Sequence, residues 1–114
     1  MSPIRVLVAD MAALDRDIVR RILGDRADMT IVGTADGSDE VADNLAGVDV
    51  LILPASAPRP LFEYLGLMWT YPRLGLVAVD RCGPVRVLRF ACRDAPELEW
   101  PDDLVRAIQA AAGD

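Results

Sequence analysis

Ile4-Arg5-Val6-Leu7-Val8-Ala9 and Val48-Asp49-Val50-Leu51-Ile52-Leu53 are two apolar runs interrupted by a single charge each. A strand with one wet face alternates apolar and polar residues, and these runs do not. Each reads as a strand buried on both faces, which is the pattern of a parallel sheet covered by helices on either side. Between them the spacing predicts a helix over 12–24, a short strand over 30–34 and a second helix over 38–46. In the first helix Leu14, Ile18, Ile22 and Leu23 form the expected apolar stripe, with Arg16, Arg20 and Arg21 mostly outside it and Gly24 as the stop. Ser38 is the expected N-cap of the second, with Val41, Ala42 and Leu45 facing inward. Strand and helix alternate, so the chain is read as an α/β three-layer sandwich and a single domain over residues 1–114.

Downstream, Pro54, Pro58 and Pro60 mark a loop. Residues 61–71 read as a third helix, 74–79 as a fourth strand, 85–92 as a fifth, and 101–112 as a closing helix with Pro101 in its first turn. Only Asp80-Arg81-Cys82-Gly83-Pro84 separates the last two strands. A parallel crossover needs about a dozen residues, so these strands are expected to form an antiparallel hairpin, with Gly83 supplying a positive φ. The expected sheet order is 2-1-3-4-5 with the fifth strand reversed at the edge. Arg86, Arg89 and Arg93 are expected to protect that edge from further pairing.

Composition narrows the function. The 114 residues are 53% hydrophobic, enough to build one core without staples. Twelve basic residues, all Arg, stand against 18 acidic ones, for a net charge of −6. That balance opposes binding to nucleic acid or to an anionic membrane. The chain has no His and no Lys. The commonest general base and metal ligand is therefore missing, and two cysteines alone cannot make a tetrahedral zinc site. Cys82 and Cys92 do not face each other across the expected hairpin, so no disulfide is expected, and sparse cysteine suggests a reducing compartment. Met1-Ser2-Pro3 runs straight into the first strand with no targeting segment, and no apolar run reaches membrane-span length, so a cytoplasmic location is expected.

Ile4 to Asp10, the helix Asp17 to Leu23, Ile31-Val32-Gly33-Thr34-Ala35-Asp36-Gly37 and Val48 to Leu53 follow one another as in a known family. In order and spacing they resemble the receiver domain of bacterial response regulators, over residues 4–79 and again at the last helix. The resemblance implies a flavodoxin-like, receiver-like sandwich, with the hairpin replacing the family's fourth helix. It also implies an acidic pair holding Mg²⁺ at the end of the first strand, a phosphoacceptor Asp at the end of the third, a hydroxyl residue ending the fourth and a Lys ending the fifth. Here those positions carry Asp10 and Met11, then Pro54, then Asp80, and there is no Lys at all. Pro54 has no nucleophile, and one carboxylate is a poor cage for a hard cation. The chain is read as a degenerate, phosphorylation-independent pseudo-receiver with no catalytic residue, no metal and no cofactor.

Each remaining residue has a plainer role beside the functional one. Asp10 is either a relic of the metal site or a helix N-cap. Asp80 caps the turn or pairs with Arg81. Ser56, just past the third strand, has no activating base and reads as loop. Trp100 reads as core or as a staple for the last helix. The third helix is the anomaly: Leu61, Phe62, Tyr64, Leu65, Leu67, Met68, Trp69 and Tyr71 surround it, and Glu63 is its only charge. Such a helix either sinks into the space left by the missing fourth helix or contacts a partner through Phe62, Leu65, Met68 and Trp69. The expected function is protein–protein interaction, by homodimerisation or with another signalling or regulatory protein. A metabolite sensor binding near Asp10, Met11, Pro54 and Asp80 is the alternative.

Overall fold

Alternate residues of a strand point to opposite faces, and here both faces are dry. In the computed structural model, which describes residues 3–54, 64, 66–79, 86–88 and 100–112, the first strand, β1 (Ile4–Ala9), buries Val6 and Val8 on one side and Leu7 and Ala9 on the other. It is followed by α1 (Ala13–Gly24), β2 (Met29–Ala35), α2 (Ser38–Asp43), β3 (Val50–Pro54), the four-residue α3 (Leu67–Thr70), β4 (Gly75–Val79), β5 (Arg86–Leu88) and α4 (Leu104–Ala111). β2, β1, β3 and β4 pair in that order, all parallel. β5, three residues long, lies antiparallel to β4. The segment joining them and residues 89–93 lie outside the described residues.

Helices cover both faces. Val6, Val8, Val50, Ile52, Val77 and Val79 meet α1 through Val19 and Leu23 and α4 through Leu104, Ala107, Ile108 and Ala111. On the other face Leu7, Leu51, Leu53 and Leu76 meet Val41, Leu45 and Tyr64. Each aliphatic side chain taken wholly out of water contributes about 1.5–3 kcal/mol, so these two layers dominate the stability. Trp100 packs half-buried against the first layer.

Local detail departs from the sequence reading in several places, and of the helix expected over 61–71 the described helical run is Leu67–Thr70, with Tyr71 at its C-cap. The buried residues of α1 are Val19 and Leu23, whereas Leu14 is 62% exposed. At about 100° per residue Leu14 sits about 140° around the helix from Val19, outside the stripe the sheet covers. Ser38 does not cap α2: Gly37 holds the cap position at φ 84, and Ser38 is the first helical residue. Pro54 ends β3, in register with Val79, where a loop was expected to start. Pro101 precedes α4 in a turn, its carbonyl accepting the Leu104 N–H at 3.2 Å, so the helix opens three residues late.

Candidate functional site

A parallel sheet of order 2-1-3-4 reverses its winding between β1 and β3, and ligands of open α/β sheets bind outside the strand carboxyl ends at such a point. In this chain the place is marked by Asp10, Met11 and Pro54. Met11 is buried in the α1 layer, 5% exposed, and offers no polar group. Pro54 is half-buried at the strand end. Asp80, Phe62 and Leu65 lie outside the described residues, as do Ser56, Cys82 and Cys92; of Met68 the backbone alone is described.

Asp10 is held on three sides. Its backbone takes φ 54, in the left-handed region that non-glycine residues other than Asp and Asn seldom visit. Its N–H donates to the Ala35 carbonyl at 3.0 Å, tying it to the end of β2. One carboxylate oxygen, Oδ1, accepts the Gly37 N–H at 2.7 Å. The other, Oδ2, accepts a hydrogen bond from the Tyr64 hydroxyl. The helix that follows directly, α1, has Ala12 at its cap position and no side-chain cap. The expectation that Asp10 caps a helix is therefore corrected. It satisfies the amide at the start of α2, reached across the sheet end rather than along the chain.

Tyr64 is the residue that sequence reasoning did not connect to the site. Its side chain is fully buried, and a buried tyrosine places its hydroxyl on a polar partner. The signal was present: a tyrosine in a largely apolar stretch, whose hydroxyl needs a polar partner once the ring is buried. What the sequence did not show is that Asp10, 54 residues earlier, is the partner. The start of α2 is trimmed further by Glu40, which accepts the Asp36 N–H at 3.1 Å.

Chemically this arrangement holds loops rather than a cation. A hard divalent ion takes six or more oxygens. Among the described residues no group of three acidic, His or Cys side chains converges on one point, and the Asp10 oxygens already serve the Gly37 amide and the Tyr64 hydroxyl. The residues present do not fit the Mg²⁺ that the receiver resemblance implies. Trp69 on α3 is 78% exposed. No protein family, no curated protein and no solved structure matches the chain.

Proposed function

We propose that the chain is a phosphorylation-independent pseudo-receiver that acts as a protein–protein interaction module in bacterial signalling or transcriptional regulation. In this reading the fold is the flavodoxin-like receiver arrangement with its fourth helix replaced by a hairpin between β4 and β5. The observation that carries it is Asp10, whose carboxylate closes the mouth of the sheet through Gly37 and Tyr64 instead of opening it to a cation. Pro54 beside it has no group to phosphorylate. The same closure weighs against a metabolite bound at the strand ends, so contact with protein comes first. Trp69, exposed on α3, supplies the contact residue among those described, with Phe62, Leu65 and Met68 as its expected companions. The reading assigns the chain no catalysis, a cytoplasmic setting and a regulatory protein as partner.

The test is chemical. Incubation with acetyl phosphate and Mg²⁺ is expected to leave the intact mass unchanged and to leave thermal stability where it was. A stoichiometric phosphoryl adduct, or Mg²⁺-dependent stabilisation lost in Asp10→Asn, overturns the reading.

A further inference from the structure

We infer that the outer edge of β2 is a self-association surface, on which a second copy of this chain adds its own β2 antiparallel about a two-fold axis. The inference shares with the proposed function only the premise that the domain works through protein contacts, and it uses a surface other than α3. β2 ends the sheet and pairs only with β1 among the described residues. It is seven residues long, longer than any other described strand, and reads Met29-Thr-Ile-Val-Gly-Thr-Ala35. Sheet edges are ordinarily guarded by charge, by proline, by shortness or by a bulge. β2 has no charge and no proline. Among the described residues its one guard is a bulge: Ile31 pairs with Val6 and Gly33 with Leu7, which leaves Val32 without an opposite residue. The bulge interrupts the edge, which disfavours open-ended stacking of many chains and leaves a short run for one partner.

Two further observations choose the second copy as occupant. The first is apolar exposure. Of the three large hydrophobic side chains exposed among the described residues, Val32 lies on β2 and Leu14 on α1, the helix packed against β2. The second is charge. Before β2 stand Arg20, Arg21 and Arg26 with Asp25 and Asp28, and after it stand Asp36, Asp39, Glu40 and Asp43 with no cation among them. The beginning of β2 therefore carries a small excess of positive charge and its end a run of negative charge. A groove of about 330 Å³ opens at the beginning, lined by Arg20, Arg26, Thr30 and Ile31 among others. Arg26 is engaged there by Asp28, at 2.9 and 3.0 Å. Arg20 is exposed and makes no ion pair among the described residues. At the other end Asp36, Asp39 and Glu40 are exposed. A two-fold axis brings identical edges together antiparallel. Each basic beginning then meets the partner's acidic end, while the uncharged middle pairs with itself. A parallel arrangement would set like charge against like.

The test is sedimentation of the full chain over a wide concentration range, with circular dichroism as the check on folding. The wild type is expected to form a closed dimer that weakens as salt rises. Val32→Lys sets two like charges together at the axis and should raise the dimer dissociation constant by at least about tenfold with the spectrum unchanged. Arg20→Glu, on the helix surface and harmless to the core, should weaken the dimer at low salt. Trp69→Ala should leave it intact, which separates this surface from the α3 contact. A wild type that stays monomeric overturns the inference. So does one that grows without limit, or a dimer that survives both Val32→Lys and Arg20→Glu.

Discussion

Asp10 shows how a single residue ties three parts of the chain together. Its left-handed backbone aims one carboxylate oxygen at Gly37 and the other at Tyr64. A hydrogen bond to a charged group contributes more than one between neutral partners, about 1.5–3 kcal/mol. Tyr64→Phe keeps the ring and its packing and removes only the hydroxyl. It should lower the unfolding free energy by about 1–3 kcal/mol, read from the denaturant midpoint with the slope unchanged. A variant as stable as the wild type would show that the hydroxyl contact contributes nothing. That an aspartate ends the first strand was plain from the sequence. Its partners were not, because they sit 27 and 54 positions away and local pattern carries no record of which distant groups a fold brings together.

Among the elements, α4 and β4 meet closely at Gly75. A Cβ added at Gly75 would lie 2.1 Å from the Ala111 carbonyl oxygen and 2.8 Å from the Ala111 Cβ. Both are well inside contact distance, and the carbonyl is helix backbone that cannot swing aside. Glycine here lets the last turn of α4 settle on the beginning of β4. Gly75→Ala is expected to cost about 1–3 kcal/mol through overpacking, seen as a lower melting temperature. Gly24→Ala, where an added Cβ meets nothing within 4 Å, serves as the control and should stay within about 0.5 kcal/mol. Strand positions were legible to within two residues for β1 to β4, because continuous apolar runs have sharp ends. Helix ends were less so. The apolar pattern of α2 continues to Leu45, yet the helix stops at Asp43, with the Asn44 side-chain Nδ2 donating to the Glu40 carbonyl at 2.7 Å.

For the whole molecule the governing quantity is charge and its distribution. The net charge of −6 gives duplex DNA nothing to exchange for its counterions, and the arginines of α1 are offset by the carboxylates after β2. No binding to duplex DNA is expected at physiological salt in a fluorescence anisotropy titration. A sub-micromolar, salt-sensitive rise in anisotropy would show that the α1 arginines act as a local patch. No helix among the described residues is long and apolar enough to cross a membrane.

Runs such as Ile4–Ala9 and Val50–Leu53 by themselves called for buried strands, and the helical stretches alternating with them pointed to a parallel sheet covered on both faces. The five residues from Asp80 to Pro84 likewise left no room for a parallel crossover, whatever the rest of the fold. Tertiary structure alone decided what packs where. It turned Val19 rather than Leu14 toward the sheet, seated α4 on Gly75, exposed Trp69 and buried Tyr64 against Asp10. The physical reason is range. Burial on both faces is set by composition within a few residues, whereas the phase of a helix, a close approach and a hydrogen bond across the sheet end depend on where a distant element comes to rest.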